Sequence, residues 1–313
     1  MVVEIKKLVK KYKELTALDD FNLEVKEGEI YGLLGPNGSG KTTCINCILS
    51  LVDYDHGSVK IFGKDMSPTA YDIKKDIGIV MQNVAVFEEL TVYENINYFC
   101  GLYITNKDER KKLVDEAIAF VALEDFKNFY PKKLSGGLLR RLNIACGVAH
   151  KPKLIILDEP TVAVDPQSRN KILEGIKELN ANGATIIYTT HYMEEAEELC
   201  TKITIMDKGK AIATGTKNEL KSMIEIGEKV TIELILDDKT DTTNLEEISK
   251  LEGVESVNIN KNIITIESKP HTNILANVIE YITKAGIKYS RIYSELPTLK
   301  DVFLEMTGRK LRD

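Results

Sequence analysis

Apolar residues arrive along this chain in short blocks. Residues 29–34, 154–158 and 184–189 are β-rich and largely apolar, too short for helices, and they predict strands. Residues 107–123 and 166–181 instead carry helical periodicity. Strands alternating with helices predict an α/β layer built on parallel strands. Residues 20–34, DFNLEVKEGEIYGLL, predict a hairpin turning at Glu27-Gly28, which adds an antiparallel element. Near residue 220 the texture changes. Val230, Ile232, Leu234 and Leu236 alternate as a half-buried strand that Asp237-Asp238 ends. A further strand is predicted at 262–267. A helix carries Ile274, Val278 and Ile282 at spacing four, and a last helix sets Leu299, Val302, Phe303 and Met306 on one face. Thr298 is placed to cap that last helix, with Asp301 at its third position. Two domains are therefore expected, 1–220 and 221–313, the second a small α+β unit.

At 313 residues, 43% of them apolar, the chain has material for one substantial core and a smaller second one. Its formal charge of -6 is shared evenly. Residues 221–313 hold 13 basic and 16 acidic side chains, and residues 1–220 hold 29 and 32, so each part stands at -3. A nucleic-acid binder concentrates positive charge, and neither part does, so no nucleic-acid partner is expected. No apolar run approaches the roughly 18 residues that span a bilayer, and MVVEIKKLVKKY lacks a signal peptide's apolar stretch. A cytosolic chain is expected. Five scattered cysteines, without a secretion signal, predict free thiols in a reducing compartment. Cys44 and Cys47 form a C-x-x-C, but inside a helical run and with no second Cys or His pair nearby. Ordinary packing, not zinc or redox chemistry, is the reading.

The first chemical motif is GPNGSGKT, residues 35–42, between the apolar strand Ile30 to Leu34 and the helical run from Thr43 to Leu49. Strand, glycine-rich loop and helix in that order form the context a phosphate-binding loop requires. Gly35, Pro36, Asn37, Gly38, Ser39 and Gly40 form a tight turn whose N–H groups aim at phosphate oxygens, and the helix N-terminus with Thr43 adds its positive end. Lys41 supplies a point charge at the β and γ phosphates. The Thr42 hydroxyl is a hard oxygen suited to magnesium.

The second motif is LIILDE, residues 154–159, an apolar strand that ends in two carboxylates. A buried strand delivering charge at its C-terminal end brings Asp158 near the loop's magnesium. Glu159, one residue on, points elsewhere and is suited to polarise a water attacking the γ phosphate.

At LSGGLLRRL, residues 134–142, the chain resembles the ATP-binding subunits of ABC transporters. The family signature is LSGGQ; Leu134, Ser135, Gly136 and Gly137 match and Leu138 replaces the glutamine. The resemblance implies a P-loop ATPase fold with an antiparallel β subdomain and a helical subdomain, here followed by the small α+β domain. It also implies that Ser135, Gly136 and Gly137 open a helix gripping the γ phosphate of ATP bound to the opposite subunit. Tyr12 falls where the family stacks a ring on adenine. Gln82, in GIVMQN, matches the loop glutamine that senses magnesium and the attacking water and abuts the membrane subunit. His191, in IIYTTHYMEEAE, matches the switch histidine that contacts the γ phosphate. His56, His150 and His271 lack such a setting and are expected at the surface. Asp165 matches the subunit-contacting aspartate, although DEPTVAVDP departs from DEPTSGLDP at Val162, Ala163 and Val164, which reduces backbone freedom there.

The tail SELPTLKDVFLEMTGR, residues 294–309, resembles that of cassettes serving drug and polysaccharide exporters. The implied protein is an ATP-hydrolysing subunit using ATP and Mg2+. It dimerises on ATP binding, with itself or a related cassette, and drives separate membrane permease subunits from the cytoplasmic face. The surface from Gln82 to Glu89, with exposed Phe87, is the expected permease dock, and residues 221–313 are expected to support dimerisation. Against a soluble cassette acting on ribosomes or nucleic acid stands the absence of a second cassette or a long coiled insertion. Against a phosphate-loop transferase stands the Ser135–Gly137 helix start. Against a regulatory module with a dead site stand Lys41, Glu159 and His191.

Overall fold

The chain opens with two long strands, β1 (Val3–Tyr12) and β2 (Leu15–Val25), paired antiparallel around a turn in which Lys13 takes a φ of 54°. Then β3 (Ile30–Leu34) crosses to a different sheet and leads into α1 (Lys41–Ile48). The strands β4 (His56–Ile61) and β5 (Lys64–Asp65) return to the first sheet, whose order is β2-β1-β4-β5. This computed structural model describes residues 1–235, 243–270 and 272–308.

A short α2 (Tyr71–Lys74) and β6 (Ile77–Val80) precede a helical segment of α3 (Val92–Gly101), α4 (Lys107–Phe120) and α5 (Gly136–Val148). Strand and helix then alternate through β7 (Leu154–Asp158), α6 (Pro166–Ala181), β8 (Thr185–Thr190), α7 (Met193–Leu199) and β9 (Lys202–Asp207). The strand β10 (Lys210–Gly215) closes the second sheet, ordered β10-β9-β3-β8-β7-β6, in which only the β9-β10 pairing is antiparallel. Its interior strands β3, β7 and β8 are buried at every position, as a parallel sheet covered on both faces requires. One core joins both sheets to α1 through Phe21, Tyr31, Leu33, Ile45, Ile48 and Ile156.

The hairpin expected across residues 20–34 does not form, because β2 and β3 belong to different sheets. In β2 the side chains of Phe21, Leu23 and Val25 are buried and those between are exposed, the mark of a half-covered antiparallel strand. In β3 all five are buried. Gly28, at a φ of 74°, does turn the chain, but from one sheet to the other, with its N–H on Thr185 Oγ1 (3.0 Å). The surface position expected for His150 also fails. Its ring is buried and stacks on Tyr103 with centroids 3.9 Å apart, and burial lowers its pKa. His56 is exposed as expected, while His271, Leu236 and Asp237-Asp238 lie outside the described residues.

A second unit begins at residue 218. The helix α8 (Lys217–Lys221) starts at that boundary and is followed by β11 (Lys229–Leu234) and a 3-10 helix over Thr243–Lys250. Then come β12 (Val254–Asn260), β13 (Ile263–Ser268), α9 (Leu275–Lys284), β14 (Tyr289–Glu295) and α10 (Leu299–Thr307). The antiparallel order β12-β13-β11-β14 is that of a split βαβ arrangement. It has its own core of Val230, Ile232, Ile264, Ile266, Val278 and Ile282. Thr298 and Asp301 form the expected capping box on α10. Among the described residues no helix is long and apolar enough to cross a membrane.

Candidate functional site

Because β3, β6, β7 and β8 are parallel, their C-terminal ends share one edge, which is where ligands bind in open α/β sheets. Leu34 pairs with Thr190, Asp158 with Thr189 and Val80 with Leu157, so four loops leave the sheet within one residue or so of register. Those loops carry residues 35–40, Gln82, Glu159 and His191.

Residues 35–40 bend back so that Ser39 N–H bonds Pro36 O (3.1 Å) and Gly35 N–H bonds Thr190 O (3.4 Å). Two glycines are obligatory on this path. A Cβ on Gly35 would sit 2.4 Å from Met206 O, and Gly40 caps α1 at a φ of 108°. The first amides of α1, on Lys41, Thr42 and Thr43, therefore precede the first intrahelical bond and face the loop, with the positive end of the helix behind them. Ser39 Oγ is buried and has no partner among the described residues. Lys41 Nζ donates to Gly35 O (2.7 Å) and Pro36 O (3.2 Å) and lies 3.2 Å from Glu159 Oε1. Burial lowers the Lys41 pKa, and the Glu159 carboxylate opposes that shift.

Asp158 ends β7 fully buried, with Oδ1 accepting from Thr189 Oγ1 (2.6 Å) and Oδ2 from Thr42 Oγ1 (3.0 Å). Glu159 follows in the left-handed region, φ 48°, a conformation that costs a non-glycine residue roughly 1–2 kcal/mol. Its N–H is held by Thr189, through Oγ1 (3.0 Å) and the main-chain O (3.2 Å). That kink separates the two carboxylates. Asp158 turns to Thr42, whereas Glu159 meets Lys41 through Oε1, and its Oε2 accepts from Gln82 Nε2 (3.3 Å) and lies 3.3 Å from His191 Nδ1.

A cleft of about 790 Å³ opens over this cluster, within the usual size range of small-molecule sites. The phosphate-loop residues Gly38, Lys41 and Thr42 line it together with Gln82, Glu159 and Tyr12. Tyr12 is 43% exposed, with Lys10 Nζ over its ring at 4.8 Å. A half-exposed flat ring at the edge of a cleft suits an aromatic heterocycle.

Ser135, Gly136 and Gly137 do not line this cleft. Ser135 caps α5 by accepting from Leu138 N (3.3 Å), and the amides of Gly136 and Gly137 precede the first intrahelical bond, Leu139 N to Ser135 O. Gly137 packs on the start of α6, where Asp165 caps by accepting from Ser168 N (2.9 Å). Ala163, standing for the glycine of the common motif, is itself left-handed at φ 58°.

Several contributors escaped the sequence reading. Thr189 holds both Asp158 and Glu159; among the hydroxyls of TIIYTT nothing in the sequence singles it out. Arg140 and Asn143 of α5 donate to Met81 O (3.2 and 3.4 Å), and Asn143 Oδ1 accepts from Ala85 N, fixing the loop that carries Gln82. Lys208 lines the cleft mouth. The Cys44–Cys47 pair is buried in α1, and among the described residues no cluster of three His, Cys, Asp or Glu is arranged to hold a metal.

Residues 18–162 match the ABC transporter family, and residues 215–307 match the C-terminal domain of DrrA1-3-like ATP-binding proteins. The linearmycin resistance ATP-binding protein LnrL of Bacillus subtilis is 37% identical over 314 aligned residues, covering 100% of both chains. A Nod factor export ATP-binding protein of Cupriavidus pinatubonensis is 33% identical, covering 100% of this chain and 92% of its own. Among solved structures, a dimeric ATP-binding cassette in a post-hydrolysis state, bound to ADP and Pi, superposes with a TM-score of 0.63. It is 32% identical and covers 68% of this chain and 98% of its own. With the phosphate loop and the acidic strand end meeting at one sheet edge and the signature helix start outside the cleft, the chain belongs to the ABC transporter family, as an ATP-binding and ATP-hydrolysing subunit that energises export.

Proposed function

We propose that two copies of this chain, or one copy and a related cassette, close around two ATP molecules and thereby drive a separate membrane permease from the cytoplasmic face. The observation that carries this reading is a half-built site. The cleft holds Lys41, Gln82 and Glu159, while the anion-seeking amides of Ser135 to Gly137 lie outside it, free for a nucleotide held by a second copy. The export and resistance named for the relatives, together with the DrrA-like domain, support efflux as the direction.

In this reading the adenine stacks on Tyr12, and the phosphates enter the amide cradle from Gly35 to Thr43. Lys41 exchanges the Gly35 and Pro36 carbonyls for β and γ phosphate oxygens, releasing its hold on Glu159. Glu159 takes a proton from the attacking water, Gln82 orients that water, and His191 steadies the γ phosphate. Thr42 Oγ1 and Asp158 Oδ2, 3.0 Å apart, are hard oxygens of the kind Mg2+ selects; with Gln82 they would hold the ion, which supplies charge neutralisation at the phosphates. The aromatic surface of Phe87, 41% exposed against Tyr98 and Phe99, is assigned to the permease, and residues 221–313 to support of the dimer.

The test is ATP-dependent association and phosphate release by the purified protein and by Glu159→Gln. Dimers of the variant that form with ATP and hydrolyse at less than about a hundredth of the parent rate are expected from loss of the base. A variant that hydrolyses normally overturns Glu159 as the base, and one that stays monomeric at saturating ATP overturns the sandwich reading.

A further inference from the structure

His191 sits between two residues held by a buried network that the proposed reaction does not use. Thr190 Oγ1 accepts from the N–H of Tyr192 (2.9 Å), closing a tight turn around His191, and donates to Glu195 Oε2 (2.8 Å). Glu195 is completely buried on α7. The same Oε2 accepts from Tyr188 OH (2.7 Å), and Oε1 pairs with Arg169 Nε of α6 at 2.8 Å. The Arg169 guanidinium in turn lies over the Tyr192 ring, 5.3 Å from its centroid, and the His191 imidazole packs on the same ring, centroids 4.2 Å apart. Glu195 thus touches two supports of His191 besides the contact of that ring with Glu159. One is the backbone turn, through Thr190; the other is the ring packing, through Arg169 and Tyr192.

The location of a buried carboxylate argues for a specific task. An isolated charge here is strongly unfavourable, and it is offset by the Arg169 guanidinium as an ion pair at Oε1 and by two hydroxyls donating to Oε2. Arg169 stands on the first turn of α6, one residue after Ser168, which touches Gly137 of the signature helix start. The network therefore runs from the helix tip that meets a second copy's nucleotide to the histidine that faces this copy's own.

We infer that Arg169 and Glu195 are positioning residues for His191, holding its imidazole against Glu159 and linking its placement to the start of α6. The inference rests on the role given above to His191, but it concerns where the ring lies, which can be read without turnover.

In the full-length protein, Arg169→Met leaves the buried Glu195 carboxylate without its cation, so thermal unfolding is followed alongside. The double variant Arg169→Met with Glu195→Gln, which leaves no unpaired charge, carries the test if the single variant fails to fold. Glu195→Gln keeps shape and removes charge. Lys177→Met is the control, because Lys177–Glu198 (2.7 Å) joins the same two helices away from His191. With four histidines in the chain, the His191 ring resonances are assignable by loss in His191→Gln. The expected result for Arg169→Met is a displaced or broadened His191 signal, kcat lowered about tenfold or more (about 1.4 kcal/mol), and KM for ATP within about twofold. Arg169→Lys recovers part of the loss, and Lys177→Met changes neither readout. An unmoved His191 signal in Arg169→Met overturns the positioning role, as does an equal effect of Lys177→Met. A displaced ring with unchanged kcat keeps the positioning and instead removes His191 from the reaction.

Discussion

At the scale of single residues, spacing made the phosphate loop legible, because its chemistry needs glycines and a lysine at fixed offsets, and no side chain elsewhere has to be known. Glu159 was legible as a carboxylate after a buried strand. Its left-handed backbone and its grip by Thr189 were not, since both depend on the register of β7 against β8. Free thiols, expected from composition, can be tested sharply. All five cysteines are buried, and burial pushes the Cys47 thiol up to about 11, with Cys44, Cys100, Cys146 and Cys200 also raised. At pH 8 the Cys47 thiolate fraction is on the order of one in a thousand. Native protein mixed with a maleimide is expected to label at none of the five within minutes, and guanidinium-unfolded protein at all five. Rapid native labelling at Cys47 would mean that α1 opens.

At the scale of elements, the pattern of burial decided what the sequence reading got wrong. In β2 apolar and polar side chains alternate, while in β3 the apolar run is continuous, and that difference, visible in the sequence, argues for two sheets where a turn at Gly28 suggested a hairpin. His150 misled for another reason: the partner ring, Tyr103, lies 47 residues away in sequence, and nothing local announces the stack. The contact between α5 and α6 supplies a prediction of its own. A Cβ on Gly137 would lie 2.2 Å from Ser168 Oγ and 2.7 Å from its Cβ, whereas a Cβ on Gly136 meets nothing within 4 Å. Gly137→Ala must push the signature helix start off α6 and is expected to cost about 1–3 kcal/mol in denaturant unfolding. Gly136→Ala, in open space on the first turn, is expected to be neutral or stabilising by up to about 1 kcal/mol. Equal effects of the two would remove the steric argument.

At the scale of the whole molecule, the two units have separate cores and separate sheets. What no pattern announced is the residue that fastens the second unit. Glu228, nearly fully buried just before β11, accepts from the amides of Ile274 (2.6 Å) and Leu275 (3.3 Å) through Oε2, and from Ser294 Oγ through Oε1. It thus satisfies the free N-terminal amides of α9, which has no side-chain cap of its own, and ties that helix to β14. Glu228→Ala removes the acceptor of three donors, the buried Ile274 amide and the half-buried Leu275 amide and Ser294 hydroxyl, at a cost of about 2–4 kcal/mol. In the proposed reading ATP is held by the folded first unit, so in protein dilute enough to stay monomeric it raises the unfolding temperature of that unit by mass action. Calorimetry of the full chain is therefore expected to show two transitions. ATP with Mg2+ should raise one and leave the other in place; Glu228→Ala should lower the second and leave the ATP-sensitive one unmoved. A single transition that both treatments shift would mean that the two cores unfold as one, and that the accessory domain contributes to the stability of the nucleotide site.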